Sequence, residues 1–163
     1  MRTEKTISVR VYKRKDRMFK RLMKSVATVY HKTGEDETGQ GVYDRFVLKN
    51  TRFERKESVR PTVAGLMPYN SFKLFVKAGK NDRPVFADKA AYLAMTEAAR
   101  KLCWTVAEGD VITLGETSFS LGDDSVDDMK ADCEIFTVNS VLKDSVAETG
   151  VIEISGRGRV FYT

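Results

Sequence analysis

The sequence predicts a mainly β protein: a small antiparallel β-barrel or sandwich with one α-helix at about residues 87–102, long loops and an N-terminal arm. Three observations predict this fold class. Several segments alternate apolar and polar residues with the period of a strand, one segment is rich in Ala and Leu, and positive charge is concentrated in residues 1–24. At 163 residues the chain is long enough to bury a core of its own. We therefore expect one domain over residues 25–163, preceded by a basic arm.

The arm holds ten Lys and Arg residues against Glu4 and Asp16, so it carries a charge of +8 while the rest of the chain carries −3. Apolar residues recur at helical spacing near its end, which predicts a short basic amphipathic helix. Clustered cations favour an acidic partner, either nucleic acid or an acidic protein surface. The alternative is a solvated arm that packs its few apolar groups on the domain. The candidate contact residues of the arm are Lys13, Arg14, Lys15, Arg17, Lys20 and Arg21.

No stretch of the chain approaches the roughly 18 apolar residues that span a bilayer, and the first residues lack the apolar core of a secretory signal. We expect synthesis in the cytoplasm and no membrane partner. Cys103 and Cys133, the only cysteines, lie far apart without a CxxC motif or a histidine cluster. This pattern favours two free thiols that act as small apolar residues over a disulfide or a zinc site. Close approach of the two thiols stays open.

After the arm, a pair of antiparallel strands is predicted. The first strand begins at residue 25, the glycine-rich segment 31–41 is the turn, and residues 42–53 return. His31 opens this turn, and a single His with no ligand or nucleophile beside it is structural or at the surface rather than catalytic.

A long loop is predicted over residues 54–70, because this segment contains two prolines and a glycine and has no sustained periodicity. Loops of this length often bind or assemble with a partner, so Arg60 and Tyr69 are candidate contact residues. Residues 71–78 alternate again and predict a strand, which ends at the turn 79–82.

The segment 87–102, inside an insertion over residues 83–103, predicts the only helix of the domain. Ala and Leu are good helix formers, and Asp88 near the start and Arg100 near the end suit the helix dipole. Residues 104–116 then predict a hairpin with a tight turn at 109–110, and residues 133–142 predict a further strand.

Residues 117–132 predict an acidic loop. Its Asp residues raise the question of calcium, but their spacing does not match a calcium-binding loop of the EF-hand type. A solvated loop is the simpler interpretation. A second is electrostatic contact with the basic arm of a neighbouring subunit or of another protein.

The C-terminal segment predicts a strand from residue 150, a break at the glycines of GRGR and an apolar tail. One Arg/Gly repeat is weak evidence for nucleic-acid binding, and a bulge or a strand end explains the glycines at least as well. Exposed terminal aromatic residues would indicate an inter-subunit contact. The candidate contact residues here are Arg157, Arg159, Phe161 and Tyr162.

Motifs of common catalytic sites are absent from the sequence. There is no Walker loop, no GxGxxG after a strand, no GxSxG and no HExxH. The single His lies at the edge of a charged, glycine-rich segment, where no Ser/His/Asp or Cys/His arrangement is evident. We therefore expect no enzymatic activity and assign no catalytic, cofactor-binding or metal-binding residues and no cofactor.

Five segments occur in a recognisable order: TVYHKTGEDETGQGVYDRFVLKN, FKLFV, the helical insertion, WTVAEGDVITLGE and EIFTVNSVLKD. This order resembles the small β-barrel proteins encoded in the head–tail connection modules of tailed bacteriophages. The resemblance covers residues 25–156 and is to the head-closure or stopper type, also described as minor capsid or head–tail joining proteins. Its signature is the turn GDVI at 109–112 followed by the strand FTV at 136–138. The basic arm and the acidic 117–132 segment depart from that pattern.

The resemblance implies a structural virion protein of the phage neck. Identical subunits would form a ring, a hexamer or a dodecamer, that joins the portal or adaptor to the tail proteins. Double-stranded DNA would pass through the lumen and be retained behind it. The protein would be made in the bacterial host cytoplasm and reside in the virion.

The resemblance also suggests which segments make contacts. Segments 31–41 and 54–70 would contact the lumen or a partner, and segments 1–24 and 157–163 would contact neighbouring subunits or rings. Two alternatives stay open: a tail terminator or tail-tube-associated ring protein, and a small nucleic-acid-binding β-barrel that uses the basic arm.

Overall fold

The computed structural model describes residues 21–79, 83–121, 128–129, 133–143 and 150–158. The strands within these ranges are β1 (Ser25–Glu35), β2 (Gly41–Thr62), β3 (Gly65–Lys77), β4 (Val85–Phe86), β5 (Cys103–Trp104), β6 (Val111–Leu114), β7 (Ile135–Lys143) and β8 (Val151–Gly158). Two short helices, α1 (Lys89–Ala94) and α2 (Glu97–Arg100), lie between β4 and β5.

Six strands close a barrel in the order β1-β2-β3-β8-β7-β6. Every neighbouring pair around it is antiparallel. Strands β4 and β5 form a separate, parallel two-stranded sheet. The prediction of a mainly β fold built on a small antiparallel barrel is therefore confirmed.

The barrel interior is filled by alternate residues of its strands, as the two-residue period requires. Three aromatic rings pack together there: the centroids of Phe53 and Phe72 are 5.6 Å apart, and those of Phe72 and Phe136 are 5.1 Å apart. Aliphatic side chains complete this core, including Ala27, Val29, Leu48, Leu74, Val76, Ile112, Val138, Ile152 and Ile154.

Strand β2 is long because it serves two neighbours in succession. Its first half pairs with β1 and its second half with β3. The change occurs at a bulge, where Asn50 has a φ of 61° and β2 uses one more residue than β1 between consecutive pairs. Because a bulge bends its strand, β2 leaves β1 at this point, and its last residues, 56–62, extend beyond the barrel with β3.

The predicted loop over residues 54–70 is wrong, because this segment is continuous strand except for the turn at 63–64. Its residues are exposed along most of their length, so burial imposes no apolar–polar alternation on the sequence. Pro61 and Pro68 are tolerated because both strands are edge strands here, where a missing N–H need not break a ladder.

The predicted turn over 31–41 is also too long. Strand β1 continues through Glu35, and the turn is confined to residues 36–40. The carboxylate of Asp36 holds it by accepting the N–H groups of Thr38 (2.8 Å) and Gln40 (2.9 Å). His31 therefore lies within a strand, fully buried, rather than at the start of a turn.

The single helix expected at 87–102 is instead the pair α1 and α2. Met95 ends α1 with an extended backbone (ψ 153°), and the Thr96 hydroxyl accepts the N–H of Ala99 to begin α2. A threonine cap in the middle of an Ala-rich segment starts a new helix because it satisfies a backbone donor that the first helix cannot.

Residues 104–116 do not form the predicted hairpin. Strand β5 pairs with β4, whereas β6 pairs with β1 and β7. The tight turn at 109–110 is present, with Gly109 at a φ of 91°, but it delivers β6 to a different sheet. The residue types at 109–110 predict the turn correctly, because a turn is a local structure. The strands that β5 and β6 pair with are decided by closure of the barrel.

Three other strand predictions are confirmed over most of their length: 71–78 in β3, 133–142 in β7, and the segment from 150 in β8. The expected break at GRGR is not seen within the described part, since β8 runs through Gly158. A side chain at Gly156 would collide with the carbonyl oxygen of Thr137 on β7. The glycine thus permits close approach of two strands rather than ending one.

Candidate functional site on the projecting hairpin

The ends of β2 and β3 project from the barrel as a two-stranded hairpin, residues 56–70. Pairing of β2 with β1 stops at Thr51, and pairing of β3 with β8 begins at Ser71. Within the part of the chain that the structure describes, the hairpin strands pair only with each other. Isolated two-stranded hairpins are marginally stable in water, and their unpaired edges are templates for another chain.

One side of the hairpin, the apolar face, continues the side of β2 and β3 that packs in the barrel core. The register places Val59 and Leu66 on this face, and Val63 stands at the turn. Their exposed fractions are 61%, 75% and 110%, respectively. Exposed apolar groups that cluster in one place mark contact surfaces, so this face is a candidate for contact with another protein.

The opposite side carries Lys56, Arg60 and Tyr69, and Arg157 of the neighbouring strand β8 lies beside Tyr69; we call these four residues the basic face. The guanidinium carbon of Arg60 lies 3.7 Å from the centroid of the Tyr69 ring, and that of Arg157 lies 5.1 Å from the same centroid. The hydroxyl of Ser58 donates to the carbonyl oxygen of Tyr69 at 3.1 Å, which ties the two strands at this point. Guanidinium groups over an aromatic face are held by cation–π attraction.

Other cations near the hairpin are ion-paired. Arg52 contacts Glu54 at 2.6 Å, Lys73 contacts Glu153 at 2.7 Å, and Arg55 contacts both Glu57 and Glu134. In contrast, Lys56, Arg60 and Arg157 have no carboxylate partner among the described residues. The basic face therefore presents a local excess of positive charge.

The structure brings together three of the residues that the sequence put forward as contacts: Arg60, Tyr69 and Arg157. Arg21 is exposed just before β1 and is not part of this cluster. Six other candidates lie outside the described residues: Lys13, Arg14, Lys15, Arg17, Lys20 and, at the C-terminus, Arg159. Phe161 and Tyr162 lie outside them as well, as does most of the acidic loop.

Sequence reasoning missed the apolar face. Val59, Val63 and Leu66 stand in a segment that was predicted to be a loop, so their side chains had no assigned face. Gly65 could have indicated the hairpin, because it separates two segments of similar length and a glycine beside a short turn is typical of hairpins. Gly65 indeed has a φ of 117°.

A second polar cluster is buried inside the domain. His31 Nδ1 lies 2.7 Å from Asp110 Oδ2, and that carboxylate also accepts the N–H groups of Ala107 (2.7 Å) and Lys32 (3.3 Å). The ring of Tyr92 packs edge-on against His31 with centroids 6.0 Å apart. These donors satisfy the carboxylate of Asp110, as is usual for a buried charged group, whereas Nε2 of His31 is buried without a hydrogen-bond partner among the described residues. Because both side chains are almost fully buried, we assign the cluster a structural role.

Tyr92 connects α1 to the barrel. Its hydroxyl donates to Asp44 Oδ2 at 2.7 Å, and its ring packs against Phe46. Burial, followed by the hydrogen bond to Asp44, raises the pKa of the Tyr92 phenol well above its ordinary value. The side chain therefore stays neutral and acts as a fixed donor.

The described ranges show no metal site: no three of their His, Cys, Asp or Glu side chains lie close enough together to hold a metal ion. Cys103 and Cys133 are not joined in a disulfide, as the sequence favoured, and both are half-buried. None of the described helices is both long and apolar enough to cross a membrane.

Comparison with known proteins identifies a family. A model described as a family of unknown function (DUF6751) matches residues 22–157, which include the whole barrel and the projecting hairpin. No curated protein matches the chain.

Proposed function

This chain belongs to the family of unknown function DUF6751, and we propose that it is a structural protein of the neck of a tailed bacteriophage. Identical subunits would form a ring that joins the portal or adaptor of the DNA-filled head to the tail. The role is that of a head-closure protein, which retains DNA and lets it pass. The resemblance in the order of sequence segments suggests a role in the phage neck. The projecting hairpin supports assembly into a ring.

The projecting hairpin is the observation that carries the proposal. A two-stranded ribbon with exposed Val59, Val63 and Leu66 gains little from its own chain. Contact with a neighbouring subunit would cover these side chains and could satisfy an unpaired strand edge through main-chain hydrogen bonds. An exposed, apolar-tipped projection of this kind therefore suits a subunit of an assembly.

The contact we propose is heterologous: the hairpin of one subunit meets a different surface of the next. Such head-to-tail contacts close into a ring when the rotation between subunits allows it. A hexamer or a dodecamer is the expected outcome. The basic arm, with its charge of +8, then remains available for neighbouring rings, the portal or adaptor, or tail proteins.

Two alternatives share some of these features. A tail terminator or tail-tube-associated ring protein would use the same hairpin contact but would meet tail subunits. A small nucleic-acid-binding β-barrel is favoured by one observation: Arg60 and Arg157 lie over Tyr69 and have no carboxylate partner among the described residues.

Negative-stain images of the purified full chain test the proposal, together with its presence in purified particles. We expect closed rings of uniform subunit number, and a fixed copy number in particles that carry both head and tail. Presence in isolated tails but not in isolated heads would favour the tail alternative. Single subunits that never copurify with particles would contradict the proposal.

A further inference from the structure

We infer that Arg60, Tyr69 and Arg157 form a binding site for the phosphate groups of a nucleic-acid duplex on the basic face of the hairpin. The inference rests on the proposed function only for the source of the duplex, which is the DNA that passes through the ring. The site itself follows from the charges and contacts of the described residues.

The first argument is the distribution of ion pairs. Carboxylates along this sheet are placed on Arg52 and Lys73, while Arg60 and Arg157 are left without one among the residues described. Their guanidinium carbons lie 3.7 and 5.1 Å from the centroid of one ring, so the two like charges are less than about 9 Å apart. An anion beside the ring would be attracted by both.

The second argument is the chemistry of the cations. A guanidinium group presents its N–H donors in a planar fork that matches the oxygens of a phosphate. Contact with the Tyr69 ring, 3.7 Å from the guanidinium carbon, restricts the position of Arg60, and no carboxylate among the described residues pairs with its N–H donors. The site is therefore organised before a ligand arrives, which lowers the entropy cost of binding.

The third argument favours a polyanion over a single carboxylate. Lys56 on β2 lies opposite Ser71 on β3, and Ser71 lies opposite Arg157 on β8. This row spans two strand spacings, so Lys56 and Arg157 are about 10 Å apart at the backbone. Cations spread over this width suit successive phosphates of a nucleic-acid backbone rather than one acidic side chain.

The fourth argument favours a duplex over a single strand. Proteins that bind single strands leave aromatic rings open so that bases can stack on them. Tyr69 is half-buried, and Arg60 lies against its ring. The ring thus positions cations for backbone contact, and Tyr69 is a positioning residue.

Salt-dependent binding of the full chain to a short fluorescein-labelled duplex tests the inference. Arg60→Ala and Arg157→Ala are compared with Arg52→Ala, which removes a half-exposed arginine of β2 that is already paired with Glu54. Each cluster variant should weaken binding several-fold and reduce the slope of log affinity against log salt by about 0.9, the value for one duplex phosphate. Arg52→Ala should change the slope much less.

Tyr69 provides a second pair of variants. Tyr69→Phe keeps the ring and should keep the slope of the native chain, whereas Tyr69→Ala frees both arginines and should weaken binding. Circular dichroism and thermal unfolding check that each variant is folded.

Three results would overturn the inference: no change of slope in Arg60→Ala and Arg157→Ala, an equal change in Arg52→Ala, or a loss of oligomer mass with the slope unchanged. The last would assign the cluster to a subunit contact. If the wild-type chain forms rings but the salt slope does not change in Arg60→Ala and Arg157→Ala, only the proposed binding site is contradicted. If the wild-type chain stays a single subunit but the salt slope changes in these variants, only the proposed ring is contradicted.

Discussion

His31 and Asp110, which are 79 residues apart in the chain, meet in the interior with Nδ1 and Oδ2 separated by 2.7 Å. A carboxylate oxygen only accepts, so the Nδ1–H of His31 donates. Asp110 belongs to the turn that leads into β6, and His31 lies in β1 beyond the residues that pair with that strand. The contact therefore extends the joint between β1 and the turn past the end of the backbone ladder.

We expect Asp110→Ala to lower the free energy of unfolding by about 3 kcal/mol, because it leaves a buried histidine and two backbone N–H groups without their acceptor. Urea unfolding of the folded chain measures this. Glu108→Ala, an exposed substitution two residues away, is the matched control and should change stability by less than about 0.5 kcal/mol. Equal effects of the two variants would contradict a structural role for the buried pair.

Tyr92→Phe should cost about 1 kcal/mol at neutral pH, because the ring remains while the hydrogen bond to Asp44 is lost. The pKa of Tyr92 is raised in the folded chain, so its contribution is fully present below the ordinary value of 10.0 and is lost as pH rises above it. The stability difference between the native chain and Tyr92→Phe should therefore shrink in alkali. Unfolding curves at several pH values check this, and a difference that stays constant would contradict it.

Gly156→Ala should destabilise the barrel by about 3 kcal/mol or more, because the added methyl group collides with the backbone of β7 and forces β7 and β8 apart. Gly34→Ala is the control, since a methyl group there meets nothing within 4 Å and should change stability by less than about 1 kcal/mol. Thermal unfolding of both variants measures the difference. A stable Gly156→Ala chain would show that the strands are not in such close contact.

Removal of the arm tests its assignment to other partners. The deletion should cover residues 2–20 rather than 2–24, because Met23 is buried, with 5% of its surface exposed. We expect rings to form without the arm but to lose their attachment to particles, since the arm's cations would serve neighbouring proteins. If the shortened chain copurifies with particles at the native level, the arm does not contribute to the contact with neighbouring proteins.

The fold class could be predicted because strands buried on one side alternate visibly, as 71–78 does. The strand at 56–62 could not, since a hairpin exposed on both faces has no burial pattern to show. The pairing of β6 with β1 rather than β5 depends on barrel closure, which no local window contains. Residue type alone singled out Arg60, Tyr69 and Arg157 as candidate contacts. Only the register of β2, β3 and β8 shows that both arginines lie around the ring of Tyr69.

The mass of the full chain in solution, measured by sedimentation, tests the central claim that the hairpin's apolar face joins subunits. The native chain should sediment as a sixfold or twelvefold assembly, and Val59→Asp/Leu66→Asp should sediment as a folded single subunit. Leu102→Asp, which alters a leucine of similar exposure (68%) away from the hairpin, should assemble like the native chain. A native chain that stays a single subunit at all concentrations, or a double variant that assembles normally, would contradict the account.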